Sequence, residues 1–368
     1  MSGRNCSPVR YPINRLIVEQ GTEGDRITRN VLDALPSLIP EYIEYERIKS
    51  LDADRHTIIV THNRGKFLKR CPGTKEYLCC LYGFLNVGLN CPIDCTYCIL
   101  QVYLNTNALV LFSNHTDMLA ELGAELIAEP SLVRIGTGEL TDSLALDPLT
   151  GLSPLLIDFF SGQRQAFLEL KTKSDHVEHL LHLDHRGQTI ISWSLNPQSV
   201  AESEEGLAAP VQARITAAKR CLEHGYRIGF HFDPIILYKG WESGYESLID
   251  LLFSHIPPHS ITWISMGCFR FIPPLKGIIR QRFPASRITY EEFIPGLDKK
   301  MRYPQPVRIH IYSSLAGWIR KRSPEAFIYL CMESPEVWKA ALGEAPGDNE
   351  VLKSWLDERC KKAPIIEK

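Results

Sequence analysis

The sequence lacks any segment that would place the protein in or across a membrane. None of its apolar runs reaches the roughly 18 residues that a spanning helix requires. The N-terminal stretch MSGRNCSPVRYPINR contains no apolar core of the kind found in secretory signals. We therefore expect a cytoplasmic protein with no membrane partner. In that compartment cysteines stay reduced, so a cysteine cluster indicates a metal site before a disulfide framework.

The chain as a whole also lacks an excess of charge of one sign. Its 41 basic and 43 acidic side chains give a net charge of −2, which argues against indiscriminate binding of nucleic acid by the whole surface. Charge is nevertheless uneven, because residues 270–325 contain twelve Lys and Arg against four Asp and Glu. Such a basic segment indicates contact with a polyanion, although chance clustering on a solvated surface would give the same count.

From Phe84 onward, short apolar runs alternate with segments of helical pattern. The runs are FLNVGLN, SLVRIGTG, AFLELKTK, TIISWSLN, RIGFHFDPI and ITWISMG. This alternation predicts βαβ units, an α/β fold with a parallel sheet and, with six units, a curved sheet or partial barrel. Polar residues follow the runs, so reactive groups are expected at the C-terminal ends of the strands. Among them, His231 and Asp233 either face a substrate or merely end a strand.

We expect three regions along the chain. Residues 1–75 form a small N-terminal α/β region, residues 76–272 form the partial barrel, and residues 273–368 form a C-terminal extension. Within the barrel, histidines recur at positions 176, 179, 182 and 185. On a helix this spacing advances about 300° per step, so the first and last side chains face opposite ways. A solvated helix is therefore predicted there, and not a metal site.

Three cysteines, Cys91, Cys95 and Cys98, lie close together in the stretch NCPIDCTYC. A structural zinc site takes four ligands, usually as two pairs, and adjacent Cys79 and Cys80 cannot chelate as a C-x2-C pair would. A [4Fe–4S] cluster normally takes four thiolates. Three thiolates would leave one iron open to bind a small chelating molecule and to pass it an electron. A zinc site or buried structural thiols are the alternatives.

The C-x3-C-x2-C spacing after the first strand, with Tyr97 before the third cysteine, resembles the radical S-adenosylmethionine superfamily. The resemblance implies a [4Fe–4S] cluster on Cys91, Cys95 and Cys98, with S-adenosylmethionine as the second cofactor. The segment GTGEL resembles the one that receives the methionyl amino group, which assigns Gly138 and Glu139 to that cofactor. Lys173 is expected to pair with the methionyl carboxylate and Ser194 to hydrogen-bond the cofactor. An ordinary surface or strand-end role is equally open for both.

Within that superfamily, CCLYGFLNVGLNCPIDCTYCILQ and GLDKKMRYPQPVRIHIY resemble the spore photoproduct lyase family. The resemblance covers about residues 61–318. It implies a partial (β/α)6 barrel of the radical SAM type whose C-terminal extension carries a β-hairpin. It also implies carbon–carbon lyase activity that repairs methylene-bridged thymine dimers in DNA through a 5′-deoxyadenosyl radical. Arg302 and Tyr303 match the hairpin-tip residues that contact damaged DNA, and an electron donor such as flavodoxin or ferredoxin is expected.

Two positions depart from the family pattern. Glu139 occupies the place of a hydrogen-donating cysteine, and Ile99 the place of a tyrosine. The candidate hydrogen donors are then Tyr97, Cys268 after the sixth strand, or an external thiol or reductant. The departures leave two alternatives open. One is a radical enzyme with another nucleic-acid or small-molecule substrate, and the other is a non-catalytic, metal-containing DNA-binding protein.

Overall fold

The computed structural model describes residues 11–71, 73–74, 76–131 and 133–362. The start of the first expected region and the end of the third lie outside the described residues. Its strands are β1 (Arg15–Glu19), β2 (Glu41–Ile43), β3 (Thr57–Thr61), β4 (Leu68–Arg70), β5 (Gly83–Leu85), β6 (Gly88–Leu89), β7 (Leu109–Phe112), β8 (Arg134–Gly136), β9 (Phe167–Thr172), β10 (Thr189–Ser194), β11 (Arg227–Ile235), β12 (Ile261–Cys268), β13 (Arg270–Phe271), β14 (Ile294–Pro295), β15 (Met301–Arg302) and β16 (Ile328–Leu330). Its α-helices are α1 (Arg26–Ala34), α2 (Tyr45–Ile48), α3 (Leu100–Tyr103), α4 (His115–Ala128), α5 (Asp147–Thr150), α6 (Leu152–Ser161), α7 (Gln198–Glu204), α8 (Val211–Glu223), α9 (Trp241–His255), α10 (Pro273–Arg282), α11 (Gln305–Arg322), α12 (Pro335–Leu342) and α13 (Asn349–Lys362).

Each of the six apolar runs supplies one strand of a curled sheet, namely β5 and β8 to β12, and the first run also contains β6 of a second sheet. The order of the curled sheet is β16-β12-β11-β10-β9-β8-β5-β4, and every neighbouring pair is parallel except β4 with β5. Strand β10 is buried along its whole length, as expected where a parallel sheet is covered on both faces. The predicted α/β fold with a partial barrel is confirmed. Strand β16 adds a parallel strand that the six-run pattern does not contain.

Helices cover the outer face of this sheet through apolar stripes. In α8, buried Val211, Ile215, Ala218 and Leu222 recur at helical spacing and pack toward β10 and β11. Arg214 of the same helix donates to the Ser194 carbonyl at 3.0 Å and so ties the end of β10 to α8. Within the described ranges, no helix combines the length and apolar composition that crossing a bilayer needs.

A second sheet has the order β2-β1-β3-β7-β6 and is parallel except for β6 with β7. The two sheets together draw strands from across the expected boundaries, this sheet at residue 75 and the barrel sheet at residues 75 and 272. Strands β6 and β7 enter it from the expected barrel region, whereas β4 and β16 enter the barrel sheet from the flanking regions. The apolar pattern identifies strands, but hydrogen-bond partners far along the chain decide which sheet each strand joins.

The predicted solvated helix around the four histidines is wrong. Only a short 3-10 turn forms there, over residues 178–180. His179 Nε2 lies 2.5 Å from Asp147 Oδ2, and the ring of His185 stacks on Tyr226 with a 3.9 Å centroid distance. Tertiary partners thus override the helical spacing.

Candidate cofactor site and barrel interior

The three clustered cysteines lie in the loop between β6 and α3, at the C-terminal edge of the barrel. Asn90 (φ 67°) and Asp94 (φ 58°) take left-handed backbone conformations, which asparagine and aspartate tolerate better than most residues. The Asn90 amide donates to the carbonyls of Thr106 and Ala108 at 2.7 and 2.8 Å. The Asp94 carboxylate accepts from Arg282 Nη2 at 2.9 and 3.0 Å. These contacts fix the path of what we call the cluster loop, residues 90–99.

The stretch AESEEGLAAP, residues 201–210, has the composition of an acidic surface loop, but it hydrogen-bonds to the cluster loop. We call this stretch the clamp. Thr96 donates its N–H to the Glu204 carbonyl at 2.9 Å and its hydroxyl to Glu204 Oε2 at 2.5 Å. Leu207 N–H donates to the Ile93 carbonyl at 2.8 Å. Glu204 and Glu205 are 5% and 0% exposed, so these carboxylates are internal. Sequence reasoning missed this role because a run of acidic residues normally indicates a solvated face.

Tyr97 is held by the same clamp. Its hydroxyl donates to Glu205 Oε1 at 2.5 Å, and burial raises the pKa of Tyr97 well above its usual range. Glu205 also accepts from Asn196 Nδ2 at 3.0 Å and pairs with Arg214 Nη2 at 2.6 Å. Burial opposes ionisation of Glu205, but Arg214 and Lys173 together with the hydrogen bonds from Asn196 and Tyr97 outweigh it and lower the pKa of that carboxyl. The hydrogen of Tyr97 is therefore committed to an ionised carboxylate.

The clamp gives a prediction for cluster loading. Gly206 has φ +44°, and a Cβ built there would lie 2.3 Å from the Ile93 carbonyl oxygen. We expect Gly206→Ala to displace the cluster loop and to lower iron and sulfide content after anaerobic reconstitution. Gly317→Ala in α11 is the matched control, because a Cβ there meets nothing within 4 Å. Iron content equal in both variants would contradict a role for the clamp in cluster loading.

The predicted cofactor residues follow three neighbouring strands and meet at one edge of the sheet. Gly138 and Glu139 follow β8, Lys173 follows β9, and Ser194 ends β10. Asp142 fastens this edge, because its carboxylate accepts from Thr172 Oγ1 at 2.7 Å and from Lys173 N–H at 2.8 Å.

These residues and the cysteines line one cavity of about 160 Å³, which we call the cofactor cavity. The sequence-predicted residues that it brings together are Cys91, Cys95, Tyr97, Cys98, Gly138, Glu139, Lys173 and Ser194. Three thiols for a cluster, a carboxylate for an ammonium, and an ammonium for a carboxylate fit the two expected cofactors. Cys268 does not line this cavity. It is 3% exposed, and its N–H donates to the Tyr312 hydroxyl at 2.7 Å.

A second cavity of about 180 Å³ lies inside the barrel, and Gly138, Glu139 and Lys171 line both. We call it the interior cavity. Lys171 Nζ lies 3.4 Å from Glu139 Oε1, and Glu139 also accepts from the Tyr82 hydroxyl. Burial opposes the charge on Lys171, but the Glu139, Glu169 and Asp233 carboxylates outweigh it and raise its pKa.

Buried charged groups line much of the interior cavity wall. His231 and Asp233 are both among the lining residues. Glu169 Oε1 lies 2.9 Å from His231 Nε2 and accepts from Ser192 Oγ at 2.8 Å. Burial opposes the charge on Glu169, but His231 and nearby cations lower the pKa of that carboxyl to about 2. The cavity is therefore preformed and polar, and sequence patterns gave no signal for Glu169, which lies in an apolar strand.

Arg302 and Tyr303 are predicted to contact damaged DNA from the tip of a hairpin, but the structure buries both side chains. Arg302 is 2% exposed, its Nη2 donates to Asp298 Oδ2 at 2.7 Å, and its guanidinium stacks on Tyr77 at 4.1 Å. Tyr303 is 1% exposed and stacks on Phe293 with a 4.8 Å centroid distance.

Strands β14 and β15 are antiparallel neighbours, as in a hairpin, and the connecting residues are 296–300. There Leu297 is 69% exposed and Lys299 is also exposed. In-chain carboxylate and aromatic partners draw Arg302 and Tyr303 inward.

Comparison with known proteins identifies the family. The model of the family described as spore photoproduct lyase matches residues 52–309. The chain belongs to the spore photoproduct lyase family. It is 26% identical over 288 residues to the spore photoproduct lyase of Geobacillus sp. (strain Y412MC61), covering 77% of this chain and 82% of that protein. It is 28% identical over 207 residues to the enzyme of Bacillus subtilis (strain 168), covering 55% and 60%.

The fold is also that of a solved spore photoproduct lyase. A mutant with bound AdoMet and dinucleoside spore photoproduct superposes with a TM-score of 0.75 at 21% identity, covering 87% of this chain and 99% of that one. The family consists of radical SAM lyases, which carry a [4Fe–4S] cluster and use S-adenosylmethionine. The identification made from the cysteine motif and the downstream segment is confirmed.

Proposed function

We propose that this chain repairs methylene-bridged thymine dimers in DNA as a radical SAM carbon–carbon lyase. The observation that carries the proposal is the cofactor cavity, where cluster cysteines and groups suited to a methionyl moiety meet beside the interior cavity. The solved relative binds the dinucleoside spore photoproduct. We assign the same class of substrate to this chain.

In this proposal Cys91, Cys95 and Cys98 hold the cluster and leave one iron open. Glu139 accepts the methionyl ammonium, Lys173 pairs with the carboxylate, and Gly138 lets the cofactor approach the backbone. When bound, the two cofactors supply the 5′-deoxyadenosyl radical that abstracts hydrogen from the dimer. The interior cavity receives the bases and excludes water, which protects a radical from side reactions.

The test of this assignment compares two dinucleosides. With dithionite and S-adenosylmethionine, the reconstituted enzyme is expected to form 5′-deoxyadenosine faster with the dinucleoside spore photoproduct than with unmodified thymidylyl-thymidine. Equal rates of 5′-deoxyadenosine formation with both dinucleosides would show that the radical chemistry does not depend on the spore photoproduct, and would contradict this assignment.

A second candidate is a radical enzyme of this family that acts on a charged substrate. It is favoured by the polar wall of the interior cavity, which includes Arg134, Glu169, Lys171, Asp233 and Arg270. Thymine bases are neutral, whereas such a wall matches a ligand that carries charge. Cofactor cleavage that responds to neither dinucleoside would support this candidate.

We also propose that DNA lies along the exposed part of the basic segment. Arg270, Arg282, Lys300, Arg302, Arg308 and Arg322 are held in ion pairs within the chain. Exposed cations of the segment outside these pairs are Arg280, Arg287, Lys299, Arg320 and Lys321. Arg280 lies 5.7 Å from the ring centroid of exposed Tyr290, and Lys299 is two residues from exposed Leu297. In this proposal the cations contact phosphate, and the neighbouring exposed side chains enter a distorted base step at the lesion.

The DNA surface predicts two separable effects. Lys299→Ala should lower the slope of log K against log salt by about one unit, since one phosphate contact is lost. Leu297→Ala should cost about 1–2 kcal/mol, or roughly 5- to 30-fold, on lesion duplex through lost apolar contact. Lys361→Ala, an exposed lysine on α13, is the control. Fluorescence anisotropy on lesion and undamaged duplexes measures both effects. If both variants bind DNA as the control does, DNA does not lie along this surface.

For the remaining partners, we propose a flavodoxin or ferredoxin as the electron donor and the cytoplasm as the compartment. A low-potential one-electron carrier matches the electron that the cluster needs. The described cysteines are all free thiols, which fits a reducing compartment.

A further inference from the structure

The missing hydrogen donor points to a group that the proposed function has not used. Scission of a methylene-bridged dimer leaves a radical on the bridge carbon, which becomes a thymine methyl group only when it receives a hydrogen atom. Glu139 cannot supply it at comparable cost, because a carboxyl O–H bond is far stronger than an S–H bond. Tyr97 directs its hydroxyl to Glu205, and Cys268 lines neither cavity.

The interior cavity, in contrast, is lined by four thiols: Cys71, Cys79, Cys80 and Cys331. They share its wall with Glu139 and Lys171, which also line the cofactor cavity. A substrate held where the two cavities meet would thus lie between the radical source and these sulfurs. Sequence patterns treat these cysteines as scattered, since they come from two distant segments of the chain.

One of the four thiols is placed at the same edge as the cofactor residues. Cys331 directly follows β16, which is parallel to β12, so it lies at the C-terminal end of the outermost barrel strand. The other three thiols, Cys71, Cys79 and Cys80, lie in the segment before β5. Leu78 of that segment donates its N–H to the Glu333 carbonyl at 3.0 Å, which holds the segment against the residues that follow β16.

Polar groups of the interior cavity hold the Cys331 sulfur. Arg270 Nη2 lies 3.6 Å from Cys331 Sγ, and Arg270 Nη1 donates to Asp233 Oδ1 at 3.2 Å. Burial, followed by the nearby Asp233 carboxylate, raises the pKa of Cys331. The sulfur therefore keeps its hydrogen at neutral pH, and only the thiol form has a hydrogen atom to give.

We propose that Cys331 is the catalytic hydrogen-atom donor to the substrate radical, an assignment that rests on the proposed lyase function. Its S–H bond breaks homolytically, a C–H bond forms on the bridge carbon, and a thiyl radical remains on Sγ. One electron from the external low-potential reductant and one proton from solvent restore the thiol. Atoms and electrons balance without another co-reactant.

The test follows hydrogen into the product. In D2O the thiol exchanges, so wild-type enzyme should yield thymine with one deuterium in the former bridge methyl group. Cys331→Ala, and Cys331→Ser as a closer match in size, should still consume the dimer but lose most of the thymine product. Cys268→Ala and Cys360→Ala, at buried thiols that line neither cavity, are the controls and should retain both yield and deuterium. Thermal melting verifies that each variant is folded.

A second readout does not depend on turnover. Infrared difference spectroscopy of the reconstituted enzyme without reductant should show that dinucleoside spore photoproduct shifts an S–H stretching band that is missing in Cys331→Ala. An S–H band of Cys331 unchanged by the saturating dinucleoside, or full yield and deuterium from the Cys331 variants, would overturn Cys331 as donor. Wild-type enzyme that forms no thymine would instead overturn the lyase function, and with it this assignment.

Discussion

Arg302→Ala is expected to destabilise the protein by about 3–5 kcal/mol, because it removes one partner of a buried ion pair and leaves the other charged. Arg302 and Asp298 side chains are each 2% exposed and 2.7 Å apart. Burial opposes ionisation of Asp298, but Arg302 outweighs it and lowers the pKa of that carboxyl. Chemical denaturation of the apoprotein measures the change in the free energy of unfolding.

Arg287→Ala is the matched control for this experiment. Arg287 is exposed and comes from the same basic segment, so its removal should change stability by less than about 0.5 kcal/mol. If Arg302→Ala instead unfolds like wild type and only loses affinity for lesion DNA, Arg302 acts at the surface and its inward placement is incorrect.

Replacing any one of Cys91, Cys95 or Cys98 by alanine is expected to abolish cluster binding. Wild-type protein should hold about four irons and four sulfides per chain after anaerobic reconstitution, and each variant close to none, since a [4Fe–4S] cluster depends on its thiolate ligands. The loss of the cluster should also abolish reductive cleavage of S-adenosylmethionine.

Cys360→Ala provides the control for thiol loss alone, because Cys360 is a buried cysteine far along the chain, on α13. It should keep its iron even if its stability falls. One zinc per chain, with no iron–sulfur absorbance in wild-type protein, would contradict the cluster assignment.

The sequence predicts the cofactor cavity well because its residues follow strands whose order along the chain is also their order in the sheet. Once β8, β9 and β10 are recognised as parallel neighbours, Glu139, Lys173 and Ser194 must meet at one edge. The cluster cysteines are close along the chain and therefore visible as a motif.

The features that the sequence does not reveal depend on distant partners. Arg302 resembles a DNA contact by residue type, and only the positions of Asp298, Tyr77 and Glu333 show that it is internal. Glu204 and Glu205 resemble solvated acids until the cluster loop is seen against them. The sequence does not mark Cys331 as a site residue, because the preceding strand β16 lies in the C-terminal extension, far along the chain from the other barrel strands.

Product analysis under anaerobic conditions decides whether this chain is a lyase for methylene-bridged thymine dimers. Reconstituted wild-type enzyme is incubated with S-adenosylmethionine, dithionite and dinucleoside spore photoproduct, and 5′-deoxyadenosine and thymine products are quantified by chromatography and mass spectrometry. We predict that both accumulate, and that neither forms with Cys95→Ala. Brisk formation of 5′-deoxyadenosine with the dimer left intact under every reductant tried would contradict the lyase assignment and leave a radical enzyme with another substrate.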